Sequence, residues 1–327
     1  MFKRISMRIN RNSEYTNSKL NKDHLKFGLP PAEEDSNTLK LNRKIFLQVT
    51  FLISIGIVFW LLKLSPETKI SIASFASDVV TSDLFYEAML VGLLAQLVDG
   101  SLGMAYGITS TSFLIGIGAT PAAASGAVHV AEIFTTAFSG ISHIKFGNVH
   151  KDLFKKLVIP GVIGGILGAY ILTSIDGKLI KPYITVYLLL MGLFILRKAF
   201  ILIKHNNKKI KHVRKLALTG GFLDAIGGGG WGPIVTSTLI GQGNSPRHTI
   251  GSVNTAEFFV SFATGITFIL LGSAGHWILV AGLIIGGLFS APFAAYLTSK
   301  LSTKKLLVAV GFLITAISIY NLYKVLA

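Results

Sequence analysis

The sequence predicts an all-α integral membrane protein. Its expected plan is two inverted repeats, each a re-entrant broken-helix hairpin plus three transmembrane helices, preceded by one extra N-terminal transmembrane helix. Three observations carry this prediction: a composition suited to lipid, a series of apolar runs of spanning length, and a self-match at a fixed shift. Of the 327 residues, 51% are hydrophobic and only 14% are charged, against about 25% charged in a soluble domain. The chain has 34 glycines, as expected where helices pack closely or break inside a bilayer. It has no cysteine, which excludes disulfides, thiolate metal sites and cysteine nucleophiles. The net charge of +16 comes from 31 basic and 15 acidic residues. The basic residues sit in a tail and in loops between apolar runs, the pattern of the positive-inside rule rather than of a nucleic-acid binder.

Residues 1–44 are polar and basic and carry no apolar stretch near Met1. This is not a cleaved secretory signal, and acids such as Glu14, Asp23 and Glu33 argue against an organellar presequence. The expectation is a disordered cytoplasmic tail. Residues 45–64 supply the extra span, with 18 uncharged residues from Ile45 to Leu62. Further spans are expected at 121–142, 153–175, 180–203, 246–271, 277–299 and 306–325. Two segments, 85–118 and 216–241, are apolar but interrupted by the polar, glycine-rich stretches 99–107 and 224–232. Glycine costs about 1 kcal/mol relative to alanine in a helix, so both stretches should break. The apolar pieces on either side read as too short to span alone. The helices after the breaks are expected to start near Ile108 and Pro233, proline suiting a first helical position.

The broken segments superpose without gaps when the sequence is shifted by 125 residues. Asp99 falls on Asp224, Gly103 on Gly228, Tyr106 on Trp231, Gly107 on Gly232, Pro121 on Pro246 and Glu132 on Glu257; over 99–134, 15 of 36 positions are identical. The match includes the acids, the prolines and a Thr-Ser pair, which shared apolar bias does not produce. The domains read as a tail (1–44), an added span (45–64), a first repeat (85–203), a basic cytoplasmic loop (204–215) and a second repeat (216–325). If each break crosses the membrane once, the basic tail and loop 204–215 fall on opposite sides. If each break enters and returns, every large basic cluster is cytoplasmic. The second arrangement is preferred. It puts the N-terminus in the cytoplasm and the C-terminus outside, and it inverts the repeats.

Inverted repeats with broken helices are the layout of secondary transporters, with substrate near the midplane. Both breaks should therefore meet there, where helix N-termini and glycine N–H groups attract anions. The candidate substrate-binding residues are Gly100, Gly103, Tyr106, Gly107, Thr111 and Ser112 in the first copy. Those in the second are Gly227, Gly228, Gly229, Trp231, Gly232, Thr236 and Ser237. The acids Asp99, Glu132, Asp224 and Glu257 are intramembrane and paired by the repeat, which makes them functional candidates. The aspartates read equally as structural pins of the broken backbone, and the glutamates as proton carriers. His129 and Asn254 each lie one helical turn before a glutamate, on the same face, and are the candidate relay residues. No His-and-acid cluster appears at metal-binding spacing and no nucleotide motif is present. The reading is therefore no enzyme, no cofactor and no metal.

The break Asp-xxx-Gly-xx-(aromatic)-Gly, followed by Thr-Ser, a proline and an Ala-Glu-(Ile/Phe)-Phe span, occurs twice. Together with Thr255-Ala-Glu-Phe-Phe-Val-Ser261, it resembles the TauE/SafE family of sulfite exporters over about 85–325. The resemblance implies an inner-membrane permease moving small inorganic or organic sulfur anions, such as sulfite or organosulfonates. The alternatives are an ion channel and an uptake carrier for another small anion. In one departure the first break is poorer in glycine, with Ser101, Met104 and Ala105 opposite Ile226, Gly229 and Gly230.

Overall fold

A computed structural model describes residues 66–200, 212–242, 244–273, 276–300 and 303–326. The tail 1–44, the span 45–64 and residues 204–211 of the basic loop lie outside the described residues. Every regular element described is helical. In order they are α1 (Pro66–Thr81), α2 (Asp83–Leu102), α3 (Tyr106–Gly116), α4 (Pro121–Lys145), α5 (Lys151–Ser174) and α6 (Gly177–Lys198). There follow α7 (Val213–Gly227), a π-helical turn (Trp231–Thr236) running into α8 (Ser237–Gly241), α9 (Pro246–Leu270), α10 (Trp277–Lys300) and α11 (Thr303–Leu326).

Local chemistry sets these boundaries. The Thr120 hydroxyl accepts the Ala123 N–H at 3.2 Å with Pro121 in the first turn of α4, a capped start with a preset φ. Pro246 likewise opens α9 with a preset φ, but Ser245 before it makes no side-chain cap bond. Among the described residues a helix covers each expected span from 121–142 onward, shifted by a few residues at its ends. Three differences stand out. Helix α1 was not foreseen, because its acids and hydroxyls mask any apolar period. Residues 213–215, read as the end of the basic loop, instead begin α7. Helix α2 has 20 residues and so rises about 30 Å, the thickness of a hydrocarbon core. Its length therefore does not by itself require a hairpin.

Four described helices, Lys151–Ser174, Gly177–Lys198, Pro246–Leu270 and Leu307–Lys324, are long and apolar enough to cross a membrane. Their outward faces carry exposed Ile159, Tyr170, Leu179, Tyr183, Phe262, Phe312 and Tyr323. Apolar surface of this extent belongs against lipid. The chain is a multi-pass membrane protein.

Inside, helices pair across the two halves of the chain: α2 with α10, α5 with α7, α4 with α9 and α6 with α11. Glycines bring the backbones together. A Cβ on Gly92 would stand 2.5 Å from the Leu283 carbonyl, and one on Gly168 would stand 2.6 Å from that of Phe222. Helices α4 and α9 run antiparallel, since Gly126 meets Phe268 whereas Gly140 meets Thr255. Helices α6 and α11 also run antiparallel: Lys181 and Lys324 line one cavity while Gly311 meets Leu196. Each of these two antiparallel pairs joins helices related by the 125-residue shift.

Candidate functional site

Each break begins where a glycine stops a helix. Gly103 and Gly228 follow α2 and α7 with φ of +65° and +64°, a left-handed conformation that side chains resist. Their N–H groups bond back to the carbonyls of Asp99 and Asp224. Helix resumes at Tyr106 and Trp231, two residues before the expected starts at Ile108 and Pro233. The aspartates account for this. The Asp99 carboxylate accepts the Tyr106 backbone N–H, and Asp224 Oδ1 accepts that of Trp231 at 2.9 Å. Each acid thus ties the end of one helix to the start of the next and satisfies a donor that helix geometry leaves open.

The two breaks lie against each other. The Thr111 hydroxyl donates to the Gly228 carbonyl, and the Thr236 hydroxyl donates to the Gly103 carbonyl at 3.4 Å. Both ends of this pair are related by the 125-residue shift. A Cβ on Gly107 would stand 2.7 Å from the Gly229 Cα, and one on Gly232 would stand 2.7 Å from the Met104 Cα. Tyr187 on α6 braces the second break, donating to the Gly229 carbonyl at 2.9 Å.

Between the breaks is a cavity of about 10 Å³. Asp99, Asp224, Glu132 and Glu257 all line it, and each is at most 6% exposed. Tyr106, Gly107, Gly229 and Gly232 complete the wall, with Ala105, Ile108, Gly230 and Pro233. Ala105 holds φ at +94° where the second copy has a glycine, a strained position for a residue with a Cβ.

The acids differ in their partners. Glu132 Oε2 accepts the Ser261 hydroxyl at 3.2 Å, whereas Glu257 Oε2 has no partner among the described residues. His129 Nε2 lies 3.3 Å from Asp224 Oδ2, and its Nδ1 lies 2.8 Å from the Ser125 carbonyl. Its counterpart Asn254 instead donates to the Ser139 hydroxyl at 3.1 Å, so the two candidate relay positions are not equivalent. Spacing gave no sign of a His-and-acid cluster. Folding nevertheless brings donor atoms of His129, Glu132 and Asp224 within 4.8 Å of one another. Like charges this close repel unless a proton or a counter-charge offsets them.

The other candidates stand around the cavity without lining it. Gly100 is in the last turn of α2. Gly227 abuts Tyr187. The Ser112 carbonyl accepts Asn321 Nδ2 at 2.8 Å. The fully buried Trp231 donates from Nε1 to the Val253 carbonyl at 3.2 Å. Ser237 Oγ bonds Lys198 Nζ at 2.6 Å. Ser125, Tyr187 and Lys198 are not marked by the sequence, and Ser261 is marked only as the end of the motif stretch 255–261, not as a partner of Glu132. Ser125, Tyr187 and Ser261 meet the site through tertiary contacts that no spacing encodes. Lys198, at the border of an apolar run, reads as one more interfacial lysine.

The comparisons with known proteins show the family. The family profile described as "Sulfite exporter TauE/SafE" matches residues 88–321. The chain is 48% identical over 231 residues to the "Probable membrane transporter protein YtnM" of Bacillus subtilis (strain 168), covering 68% of this chain and 77% of that protein. No solved structure matches. The match spans both breaks and all four buried acids: the chain belongs to the sulfite exporter TauE/SafE family of membrane transporters.

Proposed function

We propose that this protein is a proton-coupled secondary transporter that exports small sulfur-containing anions, such as sulfite or organosulfonates, across the cytoplasmic membrane. One observation carries the reading: two repeat-related helix breaks meet backbone to backbone around a cavity lined by four buried carboxylates. Broken helices meeting at a repeat interface suit alternating access around a fixed site. Intramembrane acids suit a proton relay, with Glu132 and Glu257 as carriers and His129 as the link to Asp224. Under this reading Asp99 and Asp224 hold the breaks in shape while the glutamates exchange protons.

The same reading takes the two halves as inverted repeats around re-entrant hairpins, with the N-terminus cytoplasmic and the C-terminus external. The antiparallel packing of α4 on α9 and of α6 on α11, each pairing equivalent helices, supports it. The cavity supports a carrier over a channel. At about 10 Å³ it admits little more than a single water-sized guest, so an oxyanion passes only if the halves move. The test is uptake of labelled sulfite, thiosulfate, sulfate and a sulfonate by purified protein in liposomes, with and without a pH gradient. Saturable flux that follows the gradient is expected. Flux that neither saturates nor responds to the gradient would replace the carrier with a channel.

A further inference from the structure

Building on the transport reading, we infer that Lys198 and Ser237 form the protein's anion-binding site, one residue's thickness from the carboxylate cavity. The cavity itself is poor in positive charge: its side chains bring four carboxylates and no Lys or Arg. An anion needs a cation nearby, and Lys198 is placed to supply it. Its Nζ donates to Ser237 Oγ at 2.6 Å, on the helix after the second break, and lies 3.3 Å from the sulfur of Met104 in the first break. Met104 in turn backs onto Gly232, which lines the cavity. Lys198 therefore touches the first break and the helix that follows the second.

Two further observations point to a ligand. Among the described residues no carboxylate pairs with Lys198. An ammonium held by a neutral hydroxyl and a thioether keeps donors and charge available for an oxyanion. Lys198 and Ser237 are also half-buried, unlike the fully buried Thr111 and Thr236, so a small solute can reach them. The arrangement is not repeated in the other half. There, Asn321 takes the Ser112 carbonyl, and the cations Lys181 and Lys324 stand farther out, around a cavity of about 380 Å³. The close cation lies at the end of α6, which leads into the basic stretch 204–211. The chemical class is a small oxyanion that accepts one ammonium and one hydroxyl donor.

The test uses the full chain, wild type and the variants Lys198→Gln, Lys198→Arg and Ser237→Ala. Sulfite binding is measured calorimetrically in detergent, and sulfite flux is measured in liposomes. Losing a charged donor should raise KM for Lys198→Gln by roughly tenfold or more, with a smaller effect on kcat and on melting temperature. Lys198→Arg should restore most of the affinity. Ser237→Ala keeps the charge and should raise KM by a few-fold; it carries the test if Lys198→Gln fails to insert. Wild-type binding that is unchanged in Lys198→Gln and Ser237→Ala overturns the site and leaves the transport reading standing. A wild type that neither binds nor moves sulfite, thiosulfate, sulfate or a sulfonate overturns both.

Discussion

Replacing Gly107 by alanine tests the contact between the two breaks directly. Gly107 is helical, so the new methyl adds no backbone strain, and any effect comes from what the methyl meets. It would stand 2.7 Å from the Gly229 Cα and 3.0 Å from the Gly228 carbonyl, where ordinary contact begins at 3.4 Å. The nearby Glu132 Oε1, at 2.9 Å, can rotate away, but main chain cannot. One break must retreat by about 0.7 Å from the other. Overpacking of this kind costs about 1–3 kcal/mol, which is roughly 5- to 150-fold in any equilibrium that needs the closed contact. The expected result is a lower melting temperature, read by intrinsic fluorescence in detergent, and anion flux in liposomes reduced within that range. Gly241→Ala is the control, because nothing lies within 4 Å of a Cβ there; it should melt and transport like the wild type. A Gly107→Ala protein with unchanged melting and unchanged flux would refute the backbone contact between the breaks.

Three other outcomes are expected. Gly228→Leu and Gly103→Leu should abolish flux while much of the protein still inserts, because both glycines hold positive φ and abut the opposite half; normal flux in both would remove these loops from the site. Glu132→Gln and Glu257→Gln should still exchange substrate but lose the response to a pH gradient, whereas Asp99→Asn and Asp224→Asn should lower melting by about 1–3 kcal/mol equivalent and leave residual flux gradient-dependent. If both glutamine variants keep the full gradient response, these glutamates carry no protons. Single cysteines at positions 209 and 274, which lie outside the described residues, should react with an impermeant maleimide from the cytoplasmic and the external side respectively; labelling of 274 from inside alone contradicts inverted repeats.

Much of the site was legible because duplication makes a sequence comment on itself. The 125-residue shift marked Asp99 with Asp224 and Glu132 with Glu257, and all four line one cavity. It also paired Thr111 with Thr236, whose hydroxyls reach across to Gly228 and Gly103. The same logic misleads where the halves have diverged. His129 meets Asp224 while Asn254 bonds Ser139, so one copy does not foretell the other. The π-helical turn at Trp231–Thr236 was also hidden. Pro233 lacks an N–H and removes a rung of the regular ladder, but proline at a helix start suggests an ordinary first turn. Lys198 was overlooked for a physical reason too: near a membrane surface a lysine's charge has an ordinary explanation. Only its contacts with Ser237 and Met104 distinguish it.

The crosswise pairing of α2 with α10 and of α5 with α7 bears on how such a chain is made. A ribosome delivers α2 and α5 well before their partners, so both enter the bilayer with glycine-lined grooves unfilled. The α5 groove closes once α7 follows, but that of α2 stays open until α10 has been synthesised, and α10 must then find a helix that has waited in the lipid. Contacts so distant along the chain close slowly, and an unfilled groove is open to the wrong helix in the meantime. Assembly is therefore a single event that depends on the last helices to emerge, and a chain truncated before α10 leaves α2 without its mate. The first half alone is not a smaller transporter but an unfinished one.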